Sequence, residues 1–353
     1  MCVKLRRLLS LLLGLALGIA SVASGFAAEM GVAGPCAIPG ALRITPPQQE
    51  NKPVTVDVGV VIVDLFEVND GDQTFRADIV FTMRWRDPRL SARARGGSLA
   101  NCRLSLKQIW HPDVRVLNLR AQFRALGETV RIADDGTVRH EKQVLGQYSV
   151  RFLMRDFPFD KQELRARLAS FSYGPRIVRL VPGDLVIEGK RDFSVAGWRT
   201  LDNYADDVVK PLRVGVEEFS RLDHVILVQR EPEYFLWNFV LPLVFIVLMA
   251  WTVFWLNPES WGAQIGIATA SAFTLVAFLI ALRTRLPPVP YLTRLDELIL
   301  GSTILVFFAL GQVIVTSRLA QTERIALAQK LDAYGRWIYI VLFAGIIYMT
   351  LIR

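Results

Sequence analysis

The side chains best able to do chemistry are thinly spread through the 353 residues. Three histidines, His111, His140 and His224, stand far apart, and the cysteines are Cys2, Cys36 and Cys102. No Gly-x-Ser-x-Gly, no His-Glu-x-x-His and no phosphate-cradling glycine loop occurs, so an exported enzyme on a membrane anchor has no acid, base or nucleophile constellation to work with. No cofactor is implied. Cys36 and Cys102 match no metal-ligand spacing; they either form one disulfide in an oxidising compartment or remain as buried thiols. What the sequence does offer is a helix-length run rich in small and hydroxyl side chains, Gly266, Ala268, Thr269, Ala270, Ser271, Ala272 and Thr274. Such a run packs closely against neighbouring helices or lines a narrow passage.

These residues need a membrane to sit in. The chain is 52% hydrophobic and only 21% charged, with a mean hydropathy of +0.33, which excludes disorder and an ordinary soluble enzyme. Its formal charge of +8 is scattered through strand-like segments and membrane flanks, which argues against nucleic acid as a partner. Residues 1–27 read as a secretory signal: Lys4, Arg6 and Arg7, then an apolar stretch from Leu8 to Ala20, then small residues around Gly25 and Ala27. Residues 28–233 form the exported part and residues 234–353 the membrane part.

Short alternating or β-branched runs fill the exported part: Val54–Phe66, Thr74–Trp85, Val144–Met154, Leu164–Phe171, Val208–Val216 and His224–Gln229. Turn-formers such as Asn69-Asp70-Gly71-Asp72, Asp134-Asp135-Gly136 and Pro182-Gly183-Asp184 separate them. The pattern predicts an immunoglobulin-like antiparallel β-sandwich. The membrane part gives four spans, Tyr234–Leu256, Ile265–Leu282, Leu298–Ser317 and Trp337–Ile352, the first long enough at about 35 Å to cross a bilayer core. With the amino terminus exported, Arg318, Arg324, Lys330 and Arg336 fall inside, as the positive-inside rule asks, while Arg283, Arg285 and Arg294 fall outside and want a functional reason.

Four separated motifs share one order and spacing. Trp85-Arg86-Asp87, Trp110-His111-Pro112-Asp113, Phe157-Pro158-Phe159-Asp160, and a Pro242-bearing helix followed by a small-residue helix ending in Leu286-Pro287-Pro288-Val289-Pro290-Tyr291 resemble the pentameric ligand-gated ion channels, the Cys-loop receptor superfamily in its bacterial form. The resemblance runs from about Pro53 to the last span. It implies a homopentamer in the inner membrane, multi-pass, its amino-terminal domain in the periplasm or extracellular space, opened by a small molecule to pass small inorganic ions through the lipid bilayer. The namesake disulfide is absent, since its positions fall on Val150 and Leu164, so packing alone should hold that loop. The link between the last two spans, Leu319 to Gly335, is short, as in bacterial members.

Residue roles follow from the same resemblance. Phe157, Pro158, Phe159 and Asp160 form the loop resting on the membrane domain, and Arg230 matches a buried coupling arginine whose partner is Asp160 or an acid of the Glu67–Asp72 turn. Phe171, Tyr173 and Phe219, the last on a capping hairpin around Glu218–Asp223, fall at a ligand box between subunits that holds an amine-like agonist by ring faces. Leu117 and Val80 stand where further box aromatics are usual, and core packing is the alternative for Phe171. Trp85 and Trp110 read as core. Gly266, Ala270, Phe273, Ala277 and Ile280 fall on the pore-facing stripe, with Phe273 and Ile280 as apolar rings that exclude water. Arg283 matches an outer-mouth arginine of anion channels, whereas Gln264 replaces the arginine those channels carry at the inner mouth, so the ion stays open between anion and cation. A proton-gated bacterial member offers a rival trigger, but Leu275 and Gln73 replace two residues it uses. The remaining alternative is a membrane-tethered sensor without a pore.

Overall fold

A computed structural model of the chain describes residues 36–47, 52–183, 193–283 and 289–352. The expected signal at 1–27, Arg285 and Leu286-Pro287-Pro288 lie outside the described residues. Among those described, β1 (Val54–Asn69), β2 (Thr74–Arg86), β3 (Val114–Val116), β4 (Leu119–Ile132), β5 (Thr137–Ser149), β6 (Lys161–Ser170), β7 (Val178–Pro182), β8 (Trp198–Val214) and β9 (Glu217–Arg230) build two sheets. One has the order β4-β5-β2-β1-β7, the other β3-β6-β9-β8. Their inward residues alternate along each strand, as in β6, where Gln162, Leu164, Ala166 and Leu168 are buried while Lys161 and Glu163 are exposed. Trp85, Trp110, Phe81 and Tyr148 fill the space between the sheets.

One pairing departs from the expected antiparallel sandwich: β1 and β7 run parallel, Val54 to Val58 beside Val178 to Pro182. The short connection 171–177 crosses from the second sheet to the edge of the first and delivers β7 in that direction. Turn chemistry is as the sequence dictates. Asn69 Oδ1 accepts from the Asp72 amide at 2.9 Å, closing the β1–β2 turn. Gly136 sits at φ +83°, and a Cβ there would stand 2.4 Å from the Asp87 carbonyl oxygen, so only glycine fits. Cys36 and Cys102 are joined, with Cα atoms 5.6 Å apart, which decides between the two alternatives and ties the leading segment to the loop after β2.

Among the described residues four helices are long and apolar enough to cross a membrane: α1 (Glu233–Trp255), α2 (Pro258–Arg283), α3 (Arg294–Gln321) and α4 (Ile325–Leu351). In α1 a widened turn covers Leu236–Val240, just before Pro242, which cannot donate to the helical ladder. Asn257 caps α2 by accepting from the Glu259 amide. Thr293 caps α3 reciprocally: its hydroxyl accepts from the Asp296 amide, and its own amide donates to Asp296 at 2.9 Å. The expected link Leu319–Gly335 is corrected. Both helices extend into it, leaving only Thr322–Arg324 between them, because the charged first turns of α4 still present Ala328, Asp332 and Gly335 to the bundle.

Candidate functional site

The loop between β5 and β6 hangs from the sandwich onto the helices. Val150 and Leu164, at its two ends, are both buried. Packing is not its only support. The Gln162 amide exchanges hydrogen bonds with the Leu153 backbone, at 3.0 and 2.9 Å, and also donates to Asp160. Phe157 and Pro158, joined by a cis peptide, are buried, while Phe159 is half-buried. Phe157 packs edge-on against Phe235 of α1 with centroids 4.7 Å apart. The Leu295 amide donates to the Phe157 carbonyl, the Arg294 amide to the Arg155 carbonyl, and the Met154 amide to the Tyr291 hydroxyl at 3.0 Å. The loop is thus stitched to the start of α3 and to the end of the connection leaving α2. An Arg294–Asp156 ion pair at 2.8 Å lies on the rim.

Behind this loop sits Arg230, the last residue of β9. Its guanidinium donates to Asp160 at 2.7 and 3.2 Å and to Asp70 at 2.6 and 3.0 Å. Both expected partners are therefore engaged at once. Its carbon lies 4.2 Å from the Trp198 ring centroid, 4.8 Å from Phe157 and 5.6 Å from Phe235. Burial works against the charge, yet the bonds and charges of the two carboxylates hold its pKa above the ordinary guanidinium value. Strand end, β1–β2 turn and hanging loop are therefore joined through this one side chain.

On the second sheet, Phe171 and Phe219 meet with centroids 5.6 Å apart, Phe171 exposed and Phe219 buried. Tyr173 turns elsewhere. Its hydroxyl accepts from the Trp110 indole at 3.0 Å, and Trp110 in turn packs edge-on against Trp85. The capping hairpin is displaced from the expected Glu218–Asp223. Its turn is Gly215-Val216, with Gly215 at φ +63°, and Glu218–Asp223 is strand paired with β8. Next to Phe171, Ser172 donates to Asp113. Burial pushes that carboxyl up, but bonds from Arg115 and Ser172 and the Arg115 charge outweigh it and hold the pKa below the usual carboxylate value of 3.8.

Helix α2 shows two faces. Gln264, Ala268, Ser271, Ala272, Leu275 and Leu282 are buried against the other helices, whereas Gly266, Ala270, Phe273, Ala277, Ile280 and Arg283 are all exposed in the single chain. At the base of the bundle, Gln264 donates to the Leu256 carbonyl at 3.1 Å and to Asp332 of α4 at 3.3 Å; Gln312 of α3 donates to the same carboxylate at 3.4 Å. Sequence reasoning passed over Gln162, Trp198, Asp332 and Gln312. Asp332 alone carries a readable signal, an acid three residues before the glycine of an otherwise apolar helix face.

Among known proteins, the neurotransmitter-gated ion-channel ligand binding domain matches residues 42–199, and the neurotransmitter-gated ion-channel transmembrane region matches residues 239–326. A proton-gated ion channel of Gloeobacter violaceus is 28% identical over 84% of this chain and 82% of its own. The gamma-aminobutyric acid receptor subunit beta-4 of Gallus gallus is 23% identical over 75% of this chain, and the acetylcholine receptor subunit beta of Rattus norvegicus 27% over 69%. The chain spans 55% and 52% of the length of these two receptor subunits.

Proposed function

This chain belongs to the neurotransmitter-gated ion-channel family, a multi-pass membrane channel with an exported ligand-binding domain, and from that premise we propose that five identical copies enclose the pore along α2. The observation that carries this reading is the split of α2. Its small and apolar residues Gly266, Ala270, Phe273, Ala277 and Ile280 are left uncovered by the other three helices, at alternating spacings of four and three that keep one face. Five copies of Phe273 and Ile280 around an axis make apolar constrictions that shed water and stop ions. Arg283, exposed one turn beyond Ile280, gathers anions at the mouth, with a field screened over about 8 to 10 Å in salt. We read the pore as anion-conducting.

A small ligand, an amine by our reading, sits between subunits against Phe171, with Phe219 as the buried backing ring and Tyr173 bracing Trp110 behind them. Its differential affinity for the open arrangement supplies the gating energy. The Phe157–Asp160 loop and Arg230 carry the displacement to α3 and the connection from α2.

The test is a reversal-potential measurement on the purified protein in planar bilayers under a chloride gradient at fixed sodium, with Phe273→Ala if no amine opens the wild type. The expected outcome is standing current from Phe273→Ala and a reversal potential that follows chloride. A reversal that follows sodium overturns the anion assignment. Absence of current from folded pentamers overturns the pore and favours a sensor. Current evoked by a pH step alone replaces the amine with the proton.

A further inference from the structure

The outer face of the five-stranded sheet carries like charges set side by side. Register places Asp57 of β1 opposite Arg84 of β2, Arg84 opposite Arg139 of β5, and Arg139 opposite Arg131 of β4. Their neighbours Met83, His140 and Val130 are buried, so these four residues face outward together. Directly opposed like charges weaken a sheet. Asp57 answers only Arg84, at 3.0 Å, and neither Arg131 nor Arg139 enters an ion pair among the described residues. Arg86, two residues along β2, is exposed on the same face.

A small recess of about 120 Å³ opens beside this row and is lined by Asp57, Gly59, Thr82, Arg84, Arg139 and Glu141. Gly59, facing Thr82, contributes no side chain to fill it. Gly183 roofs it by donating its amide to the Val58 carbonyl at 2.9 Å, and a Cβ there would press within 3.3 Å of the Val58 backbone. The space admits only an anion of a few heavy atoms, and its charged lining suits an ion better than an apolar ligand.

We propose that this recess binds a small monocarboxylate, its oxygens taken by the free guanidinium of Arg139, with Arg84 beside it and Arg131 one strand further out. A planar carboxylate suits the guanidinium fork. Glu141 and Asp57 on the rim disfavour a doubly charged anion such as phosphate. None of these residues belongs to the Phe171–Phe219 pair or to α2, so the site stands whether or not the channel reading does.

Thermal unfolding of the purified full chain in detergent tests it, with sodium acetate titrated against sodium chloride at constant ionic strength. A saturable rise in Tm with acetate is expected for the wild type and no rise for Arg139→Gln. In chloride alone, Arg139→Gln should melt above the wild type, because it removes the like-charge opposition. Should that variant fold poorly, Arg131→Gln is the second probe, with the acetate effect weakened. Glu141→Gln should bind acetate several-fold more tightly. An acetate effect equal in wild type and Arg139→Gln overturns the site. A larger effect from inorganic phosphate, or weaker binding by Glu141→Gln, overturns the carboxylate assignment.

Discussion

Arg230 and Asp332 are both ionisable side chains withdrawn from water, one where the sandwich meets the bundle and one at the bundle's base. Arg230 is answered by two carboxylates and three aromatic rings. Asp332 is answered by the amides of Gln264 and Gln312, while the nearby Arg336 guanidinium donates to the Phe254 carbonyl and lies 3.8 Å from the Trp255 ring centroid. Around Asp332 the accounting is incomplete, since Gln264 Oε1 and Arg336 Nε have no hydrogen-bond partner among the described residues. A fully ionic cluster fixes one geometry, because leaving it strands a buried charge. A cluster of neutral amides can exchange partners at lower cost. The junction is thus suited to transmit displacement rigidly, and the base to let α2, α3 and α4 readjust.

The largest effect should come from breaking the ionic cluster. Arg230→Gln leaves Asp160 and Asp70 facing each other without a cation, and should cost about 3–5 kcal/mol, read as a loss of Tm and of folded yield. Arg230→Lys keeps the charge but not the fork, and should retain yield while uncoupling ligand from current. If both variants melt like the wild type, the cluster is not what joins the two regions. The contrast sharpens at Asp332. Asp332→Leu leaves two glutamine amides without their acceptor and should cost about 1–3 kcal/mol, whereas Asp332→Asn keeps an acceptor and should fall near the wild type. A large loss for Asp332→Asn in the same unfolding measurement would show that the base depends on charge, as the junction does.

Much of this arrangement was legible in the residues. The turn-former clusters marked the β1–β2 turn and the Asp134-Asp135-Gly136 turn, and the four apolar runs marked α1 to α4. Arg230 could be paired with an acid because the family resemblance marked it as buried, and a buried guanidinium needs a carboxylate. Elsewhere local pattern was overruled. β4 carries charges at Arg120, Arg124, Glu128 and Arg131 and three register shifts, so its alternation is blurred. The first turns of α4 looked like a loop, since Lys330, Asp332 and Arg336 interrupt the apolar run, and only the partners Gln264, Gln312 and Phe254 make that stretch a helix face. Tyr173 has the same composition whether it faces a ligand or Trp110; the indole N–H that needed an acceptor decides between them. The Cys36–Cys102 pairing depends on a tertiary approach across 66 residues, which spacing alone does not reveal.

A third buried ionisable group completes the comparison with the smallest effect. His140 of β5 is buried between the sheets, its Nε2 2.9 Å from Glu128 Oε1. Desolvation depresses its pKa below 6.5; the Glu128 bond and charge oppose this without prevailing, and Lys142 and His111 add to the depression. Unlike Arg230, this side chain can escape the cost of burial by giving up its proton. Below pH 6.5 the unfolded chain takes up a proton that native His140 still refuses, so the unfolded state binds more protons and stability falls as pH falls. The loss should begin near pH 6.5 and level off once pH drops beneath the depressed native value. Tm measured at pH 7, 6 and 5 should therefore decline in the wild type and decline less in His140→Gln, which keeps a hydrogen-bond donor toward Glu128 but does not titrate. Equal slopes in the two proteins would remove His140 as the source of the acid-side loss.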